Sequence, residues 1–472
     1  MKLSISIPDY VQTTAKMLVD EGFECYLVGG AIRDLLLDKQ PYDYDLATDA
    51  LPDEMLNIFP KSVATGAKFG TVLSLTQDSK GEVHEVEVTT FRSEAEYVDG
   101  RWPSSVKFVV EIDNDLGRRD FTFNAMAIDF SIADLGGNKE EQLLNIYDPF
   151  NGITDLNMKL IRAVGTPIER FKEDGLRAFK ACRLASQLEF DIEEETLKAI
   201  PRALPVAEMV SMERIRDEFM KMLLQSSKPS IGINLMKDTG LLSIFLPELL
   251  EAVGMEQKLY HKYDVYEHSL RTCDIAEDSV KLVALLHDIG KVRTDMGNGH
   301  FYGHDIIGAQ MTQEILKRLR FSKQEIEKAS RLVRNHMFYY PHVTSDMKTE
   351  EKERVLLNEW GDAAVRRFLQ RVGEENIEDL FKLRIADAMS NPSSEFQPEE
   401  IEQLQVHISK ILQEDMALNI SDLRVNGKDL AKIGVENGPK MGEILNKLLD
   451  IVIEDPLKNS KEVLLEEAKK MM

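Results

Sequence analysis

The sequence predicts an α+β protein, with a mixed α/β domain at the N-terminus and helices through most of the remaining chain. Over residues 1–150, short runs rich in Val, Ile, Phe and Thr alternate with helical runs, and that composition is typical of β-strands. From about residue 167 apolar side chains recur at helical spacing and the strand pattern almost disappears. A chain of 472 residues is too long for one ordinary core, so several domains are expected.

The N-terminal domain contains four runs with strand composition, at Cys25–Val28, Thr71–Leu75, Glu85–Phe91 and Ala125–Phe130. The runs between them predict two helices, Ala31–Leu37 and Pro52–Phe59. Proline suits a first helical turn, because an N–H there has no partner within the helix. We therefore expect the second helix to start at Pro52, capped by Thr48 or Asp49. The last strand signal covers Leu160–Val164.

Clusters of Gly, Pro and polar residues predict the breaks between domains. They lie near Pro149–Gly152, Ala252–Gly254, Asn391–Ser394 and Gly434–Pro439. We therefore expect four regions, namely a head at 1–150, a neck at 151–254, a third region at 255–395 and a tail at 396–472.

The composition, with 43% hydrophobic and 30% charged residues, is that of a soluble globular protein. We see no apolar stretch of the roughly 20 residues that span a bilayer, and no signal-peptide pattern at the N-terminus. The three cysteines, Cys25, Cys182 and Cys273, lack disulfide or metal-binding spacing. These features together predict a cytoplasmic protein.

The net charge of −24 does not by itself suggest a nucleic-acid partner, because phosphate binding relies on Lys and Arg. The local distribution matters more than the total. Met158–Arg183 and Met311–Tyr340 each contain seven Lys or Arg against three Asp or Glu. A solvated helix face is the alternative interpretation of either stretch, so the charge permits RNA binding without arguing for it.

A glycine pair, Gly29 and Gly30, ends the first predicted strand and begins a helix. Glycine lets the backbone approach a phosphate, and a helix start presents unpaired N–H groups to an anion. Arg33, one turn into the helix, is placed to bind a phosphate oxygen. The pair alone is equally typical of an ordinary strand-to-helix turn.

Two acids, Asp43 and Asp45, follow within 15 residues of the glycine pair. In a strand, residues i and i+2 project to the same face, and two such carboxylates repel each other unless a cation lies between them. Two-metal phosphoryl transfer uses a carboxylate cluster of this kind. The glycine pair, the arginine and Asp-x-Asp in this order therefore indicate nucleotidyl transfer.

Three further motifs lie at Arg118–Ala127, Asp148–Leu156 and Arg170–Arg177. With the two preceding motifs, the chain from about residue 24 to 220 resembles the bacterial-type (class II) tRNA CCA-adding nucleotidyltransferases and their relatives, the bacterial poly(A) polymerases. The resemblance implies a polymerase-β-like head and an all-α neck, with Mg²⁺ as cofactor. It also implies addition of C, C and A to the tRNA 3′ end from CTP and ATP with release of diphosphate, and neither a membrane nor DNA as a partner.

The resemblance also implies residue roles. Asp43 and Asp45 would hold Mg²⁺, and Glu87 aligns with an acid that could complete the metal site or activate the primer hydroxyl. The residues that would bind the nucleotide and its triphosphate are Gly29, Gly30, Arg33 and Arg119.

Asp174 and Arg177 would read the incoming base. On one helix, residues i and i+3 share a face. Arginine can donate to cytosine O2/N3 or adenine N1, and aspartate can accept from the exocyclic amine that U and G lack at that position. This chain has Lys180 where the family usually has arginine, which loses the planar fork. Arg183 fits the next arginine of the pattern, also as a nucleotide-binding residue.

The choice between CCA and poly(A) addition depends on two weaker features. Thr65–Val72 resembles the CCA-adding form of this strand entry. Phe91–Val106 resembles the loop that full CCA-adding enzymes use when switching from C to A. These features favour complete CCA addition over A-only or CC-only addition.

A second group of candidate metal ligands lies in the region 255–395, where His268, His287 and Asp288, His304, His336 and Asp387 follow one another along the chain. This pattern resembles the HD-domain phosphohydrolases. Imidazole and carboxylate ligands suit a divalent transition metal such as Ni²⁺ or Mn²⁺, or Mg²⁺, and more than four ligands allow two ions. Some HD-bearing relatives resemble phosphatases and 2′,3′-cyclic phosphodiesterases. We expect all six of these residues to be metal ligands.

Several alternatives stay open on the sequence alone. One is a poly(A) polymerase. Another is an HD phosphohydrolase regulated by an N-terminal nucleotide-binding domain, which intact Asp43 and Asp45 disfavour. A third is a non-enzymatic RNA-binding protein. The oligomeric state and the residues that contact the tRNA body are also open.

Overall fold

The computed structural model describes most of the chain, and its described residues are 2–66, 70–94, 97–98, 102–103, 106–109, 111–130, 142–257, 262–297, 299–341, 360–392, 396–413 and 418–472. The chain forms two compact units, Met1–Pro247 and Glu248–Met472. The first contains a mixed sheet followed by helices, and the second is helical in its described residues, so the α+β prediction is confirmed. The finer division into four regions stays a prediction.

The mixed sheet of the first unit has eight strands in the order β1-β12-β11-β2-β3-β6-β5-β4. Neighbouring strands are antiparallel except β3 and β6, which run parallel. The strands are β1 Lys2–Ile5, β2 Cys25–Val28, β3 Asp45–Thr48, β4 Ser62–Gly66, β5 Thr71–Gln77, β6 Val83–Thr90, β11 Ala127–Asp129 and β12 Gln142–Tyr147.

Six short strands form three two-stranded pairs outside the main sheet, in which β7 pairs with β10, β8 with β9 and β13 with β14. The last pair is parallel and places a strand inside the region that the sequence predicts to be helical. The strands are β7 Arg92–Glu94, β8 Tyr97–Val98, β9 Trp102–Pro103, β10 Val106–Phe108, β13 Leu160–Ile161 and β14 Asp191–Ile192.

The first unit has twelve described helices and one 3-10 turn at Thr122–Asn124. The helices are α1 Asp9–Asp20, α2 Gly30–Leu36, α3 Pro52–Ile58, α4 Ile112–Gly117, α5 Gly152–Asn157, α6 Pro167–Glu173, α7 Leu176–Leu188, α8 Glu194–Arg202, α9 Leu204–Ala207, α10 Met212–Gln225, α11 Pro229–Thr239 and α12 Leu242–Phe245.

The helix α3 begins at Pro52 as predicted, but the predicted cap is wrong. The capping residue is Leu51, whose backbone N–H donates to the Glu54 carboxylate at 2.7 Å. Thr48 is the last residue of β3, and the Asp49 carboxylate accepts a hydrogen bond from the backbone of Glu24. Strand pairing and the contact with Glu24 already occupy these two residues, and Glu54 in the first turn of the helix instead accepts a hydrogen bond from the capping residue.

The core beneath the sheet explains why the segment Arg118–Asn124 holds one position. Its two phenylalanines, Phe121 and Phe123, are fully buried, and burial of an aromatic ring contributes about 1.5–3 kcal/mol each. They anchor the polar residues between and beside them. A neighbouring cluster packs β2, β3 and β11 together through Val28, Ala47, Phe91, Leu116, Ala125, Ala127 and Val164.

The second unit contains twelve described helices, of which the first begins at the boundary itself. They are α13 Pro247–Glu251, α14 Val265–Ile275, α15 Lys281–Leu286, α16 Lys291–Thr294, α17 His304–Arg318, α18 Lys323–Asn335, α19 Asp362–Val372, α20 Ile377–Ser390, α21 Pro398–Leu412, α22 Gly427–Lys432, α23 Pro439–Glu454 and α24 Lys461–Lys470. The last three have a core of their own, centred on Leu430, Leu448 and Leu464.

No helix in the described ranges is long and apolar enough to cross a membrane. All three cysteines are free and buried.

Candidate active site

Two of the three predicted catalytic acids lie opposite each other in the sheet. Asp45 is the first residue of β3 and pairs with Glu87 of the parallel strand β6. Because residues in register on adjacent strands project to the same face, both carboxylates lie on one surface. Asp43 precedes the strand and is exposed, so the prediction that both aspartates lie within one strand is wrong. Strand pairing begins only at Asp45.

The three carboxylates influence each other electrostatically. Burial raises the pKa of Asp45 to about 6, with further contributions from Asp43 and Glu87. Glu87 is exposed, but desolvation by the surrounding protein and the charge of Asp43 also raise its pKa. The carboxylate oxygens of these three residues are not all within 4.8 Å of one another, unlike the ligand atoms of three other groups in the described part of the chain. Carboxylates that repel one another are stabilised by a cation between them, and their oxygen atoms suit a hard cation such as Mg²⁺.

The glycine at the end of β2 permits a close approach between an arginine and this site. Gly29 has φ of +81°, and a Cβ on it would lie 3.0 Å from Arg119 Nη1 and 3.4 Å from Asp45 Oδ2. The positive φ favours glycine, and a Cβ here would push on both of these side chains. Arg119 therefore lies beside Asp45 and opposes the rise in its pKa, while its own guanidinium donates to Asp115 at 3.2 Å.

The side chain of Arg33 folds back over the second glycine. A Cβ on Gly30 would meet Arg33 Nη2 at 3.3 Å. Arg33 donates from Nε and Nη2 to Asp34 Oδ1 at 2.8 and 2.7 Å, and from Nη1 to Asn124 Oδ1 at 3.1 Å. A guanidinium has five N–H donors, so these contacts fix its orientation and leave donors for a phosphate.

Asp174 and Arg177 do not share one helix, so that prediction is wrong. Asp174 follows α6 in an extended conformation, with φ of −146°, and Arg177 lies in the first turn of α7. The break occurs at Gly175, where a Cβ would lie 2.6 Å from the carbonyl oxygen of Val206. The close packing of that backbone therefore separates the two residues into different elements.

Each of these two residues is held by another partner. The Asp174 carboxylate accepts from Arg214 Nη2 at 2.8 Å. Arg177 Nη1 donates to Glu173 Oε2 at 2.5 Å, and Arg177 Nη2 donates to the carbonyl of Arg118 at 2.8 Å. These contacts orient both side chains.

The two further basic residues of α7 differ in their partners. Lys180 Nζ lies 3.7 Å from Asp120 Oδ2 in the Arg118–Asn124 segment. Arg183 forms a 2.6 Å ion pair with the buried Glu218 of α10 and donates to Gln187. The contacts of Arg183 join two helices, and its predicted role with the nucleotide stays a prediction.

The six predicted ligands of the second metal site converge in the second unit. They form two groups whose ligand atoms lie within 4.8 Å of one another, His268, His287 and Asp387 in one and Asp288, His304 and His336 in the other. Asp288 lies between the groups, with Oδ2 at 3.3 Å from His287 Nε2 and Oδ1 at 3.5 Å from His304 Nε2.

The imidazole orientations fit metal binding. The Nδ1 atoms of His287, His304 and His336 lie 2.6–2.7 Å from backbone carbonyls three residues earlier. Carbonyls only accept hydrogen bonds, so each ring carries a proton on Nδ1 and presents Nε2 to the interior of the cluster. The Nε2 atoms of His304 and His336 are buried without a hydrogen-bond partner, as expected for groups that bind a cation.

These ligands line a cavity of about 230 Å³. Burial lowers the pKa of His287, but Asp288 and Asp387 outweigh it and raise the pKa to about 10. Without a metal ion, the carboxylates of Asp288 and Asp387 are therefore balanced by a protonated His287, by Lys291 and by Arg384. A bound cation would take the place of the proton on His287. Its lining also includes Lys291, Met337, Arg384, Ala388 and Asn391.

The third group with metal-ligand geometry is better explained as a turn. Asp78, Glu82 and His84 lie at the connection of β5 and β6. The Asp78 carboxylate already accepts from the backbone of Lys80 and Glu82 and lies 3.1 Å from the His84 ring. These contacts satisfy the carboxylate without an ion.

We expect metal-free Asp45→Asn protein to be more stable than the parent at pH 7–8. The folded pKa of Asp45 is about 6, above the ordinary 3.8, so its ionised form destabilises the fold increasingly as the pH rises from 4 to 6. Removal of that charge should add about 1–3 kcal/mol to the free energy of unfolding at pH 7.5. Denaturant unfolding in EDTA at pH 4 and pH 7.5 measures this, and an equal effect at both values contradicts it.

Sequence reasoning did not assign roles to several residues that complete the site. Asn124 and Asp120 lie inside a motif that the sequence analysis singled out, yet only the folded contacts connect them to Arg33 and Lys180. Arg214 reaches Asp174 from α10, and no local pattern indicates that contact.

A mixed sheet with clustered carboxylates beside a glycine turn and arginines defines a nucleotidyltransferase. Family models agree with this class. The model of the Poly A polymerase head domain matches residues 25–162, and "Probable RNA and SrmB- binding site of polymerase A" matches residues 189–253. A model of tRNA nucleotidyltransferase domain 2 matches residues 306–468.

The chain is similar over its whole length to curated enzymes. It is 33% identical to the CCA-adding enzyme of Enterococcus faecalis, covering 100% of this chain and 98% of that protein. It is also 33% identical to that of Pediococcus pentosaceus, covering 96% and 95%. The crystal structure of the Bacillus stearothermophilus CCA-adding enzyme in complex with CTP is 26% identical, with a TM-score of 0.67 and coverage of 98% and 96%.

The chain belongs to the family of CCA-adding enzymes, which are tRNA nucleotidyltransferases. The family predicted from the motifs is thereby confirmed. The resemblance of residues 255–395 to HD phosphohydrolases stays a prediction.

Proposed function

We propose that this chain adds C, C and A to the 3′ end of tRNA from CTP and ATP, with release of diphosphate. The observation that carries the proposal is the carboxylate site of Asp45 and Glu87, with Arg119 beside it, in a chain similar along its full length to CCA-adding enzymes. The same similarity favours CCA addition over poly(A) addition. The cytoplasm as the compartment of this reaction stays a prediction.

The carboxylates of Asp43, Asp45 and Glu87 are suited to hold Mg²⁺. When bound, the ion stabilises the negative charge on the attacking and leaving oxygens of phosphoryl transfer. Arg33 binds the triphosphate with the donors that its contacts to Asp34 and Asn124 leave available. Arg119, next to Asp45, binds the nucleotide where that charge develops.

Base selection is the role that we propose for Asp174 and Arg177. Arg177 donates to N3 or O2 of cytosine, or to N1 of adenine, while Asp174 accepts from the exocyclic amine. The contacts from Arg214 to Asp174 and from Arg177 to Glu173 support this role, because a base reader must be held rigidly to reject a wrong hydrogen-bonding pattern. Uracil and guanine present a carbonyl to Asp174 and are repelled.

We expect Arg177→Ala to reduce the preference for CTP over UTP by about 10- to 100-fold, the cost of an unpaired polar group at the base. The KM for CTP should rise less, because Arg33 and Arg119 still bind the triphosphate. Steady-state kinetics with each nucleotide measure both values. Arg216→Ala is the control, since Arg216 forms an exposed ion pair on α10. Unchanged C/U selectivity in the Arg177 variant contradicts the role.

The direct test uses three tRNAs, ending before CCA, after CC, or complete. Each is incubated with the protein, Mg²⁺, CTP and ATP, and the added nucleotides are read on a sequencing gel. The proposal expects three, one and no additions. Long runs of A indicate poly(A) addition, and extension of only one tRNA indicates a partial activity.

We propose as a second function that the helical unit binds transition-metal ions, Ni²⁺ or Mn²⁺, and hydrolyses phosphomonoesters or 2′,3′-cyclic phosphates at damaged tRNA ends. Four imidazoles and two carboxylates converge on its cavity, and this ligand set suits such ions better than Mg²⁺. A cation would neutralise Asp288 and Asp387 and occupy the unpartnered Nε2 atoms. Lys291 and Arg384 supply positive charge for a phosphate at the same cavity.

A further inference from the structure

One polar segment of the first unit contacts both ends of the proposed nucleotide site. Arg118–Asn124 receives two contacts from the same face of α7, one from Arg177 to the carbonyl of Arg118 and one from Lys180 to Asp120. At its other end, Asn124 accepts a hydrogen bond from Arg33. The segment therefore connects α7, which carries Arg177, to Arg33, the arginine proposed to bind the triphosphate.

The connection is continuous through three side-chain contacts. Lys180 Nζ lies 3.7 Å from Asp120 Oδ2. Asn124 Nδ2 donates to Asp120 Oδ1 at 3.0 Å, and Asn124 Oδ1 accepts from Arg33 Nη1 at 3.1 Å. We call this series of four contacting side chains, Lys180, Asp120, Asn124 and Arg33, the relay.

The chemistry of the relay fixes its direction. A carboxylate only accepts and a guanidinium only donates, so the Asn124 amide has one orientation that satisfies both neighbours. Burial raises the pKa of the Asp120 carboxyl, but Lys180 and the Asn124 amide contribute to lowering it by more, and Asp120 stays ionised. Displacement of Lys180 or Asp120 therefore changes the position of the Asn124 amide and weakens its hydrogen bond with Arg33.

We propose that the relay couples base recognition to triphosphate binding, with Asp120 and Asn124 as positioning residues. This proposal rests on the proposed function. A base that seats correctly against Arg177 holds α7 and the Arg118 carbonyl in place. Lys180 then holds Asp120, and Asn124 presents Arg33 to the triphosphate. A wrong base displaces α7 and loosens Arg33, so the preference for C over U is larger when the ligand carries a triphosphate.

The test measures four dissociation constants on the full chain with Mg²⁺ and without tRNA, for CTP, UTP, CMP and UMP. The coupling is the C/U preference of the triphosphates divided by that of the monophosphates. We expect this ratio to be about fivefold or more in the parent protein, the lower range of allosteric coupling. Asn124→Ala and Lys180→Met should each bring it to about one, and Asn124→Ala should leave the affinity for CMP unchanged.

Two further variants separate the relay from a general loss of structure. Thr122→Val removes a buried hydrogen bond from the same segment to Asp155, 2.7 Å long, and should leave the ratio unchanged. Lys180→Arg should keep or increase it, because a guanidinium makes stronger paired hydrogen bonds to a carboxylate. In the double variant Lys180→Met with Asn124→Ala, the effects should not add, since both interrupt one chain.

A coupling ratio near one in the parent protein contradicts the relay. The relay is also contradicted if Asn124→Ala leaves the ratio unchanged, or if Thr122→Val lowers it as much as Asn124→Ala does. Failure of the proposed function appears in a different measurement, as absence of nucleotide addition to a tRNA that ends before CCA. The binding ratio is defined with or without that activity, so the two failures are distinguishable.

Discussion

Asp45→Ala is expected to reduce nucleotide addition by about 10³-fold or more, while the protein stays folded. Metal-assisted phosphoryl transfer gains several kcal/mol of charge stabilisation from the ions that such carboxylates hold, and each 1.36 kcal/mol is tenfold in rate. Asp45 is partly buried at the start of β3 and has a raised pKa of about 6. The substitution therefore removes a negative charge that Asp43 and Glu87 repel, and it removes no core contact. Activity should fall while the stability of the metal-free protein rises.

The measurement is the rate of CMP incorporation into tRNA lacking CCA, at saturating CTP and Mg²⁺, alongside a thermal melt of each protein. Asp53→Ala is the matched control, because Asp53 is an exposed aspartate in the first turn of α3. It should keep the rate of the parent. Near-normal incorporation by the Asp45 variant contradicts the assignment of this carboxylate as a metal ligand.

His287→Ala combined with Asp288→Asn is expected to abolish transition-metal binding in the second unit. The two side chains contribute to both ligand groups, so their removal leaves neither group complete. The amide of Asn can still accept from the buried Lys291, which donates to Asp288 at 2.6 Å in the parent. Because the amide is neutral, it does not replace the negative charge beside Lys291, and the variant should be less stable than the parent by up to about 3–5 kcal/mol.

Mass spectrometry of Mn²⁺ or Ni²⁺ bound per chain gives the first readout. Hydrolysis of a 2′,3′-cyclic phosphate gives the second, and it should fall by about 100-fold or more, given the loss of metal charge stabilisation. Nucleotide addition should remain within about twofold, because its residues belong to the other compact unit. His84→Ala with Asp78→Asn, at the turn in the first unit, is the control and should not change metal content. Loss of nucleotide addition in a folded variant contradicts the separation of the two sites.

The sequence predicts much of the head accurately where local chemistry decides. The strand Cys25–Val28 has the predicted bounds, and α3 begins at the predicted Pro52. The glycine pair is also where it was expected, and Gly29 has the positive φ that its residue type permits. The predicted features at Thr65–Val72 and Phe91–Val106 lie partly outside the described residues, so they remain predictions.

Local periodicity fails where packing between distant elements interrupts it. The spacing of Asp174 and Arg177 suits one helix face, but the close approach of Gly175 to the Val206–Ala207 backbone ends α6 and starts α7 between them. Likewise Asp-x-Asp suits a strand, yet pairing with β2 and β6 starts at the second aspartate. In both cases a tertiary contact decides the backbone conformation against the local pattern.

The sequence by itself determined the class of chemistry, because glycines, carboxylates and imidazoles limit what a backbone and a cation can do at each motif. It could not determine which side chains meet. The register of Asp45 with Glu87 depends on a parallel pairing of strands that are not consecutive. The contact of Asp174 with Arg214 and the relay from Lys180 to Arg33 join separate elements. These contacts are fixed only when the core is buried, since hydrophobic packing is non-directional and its final geometry belongs to the whole fold.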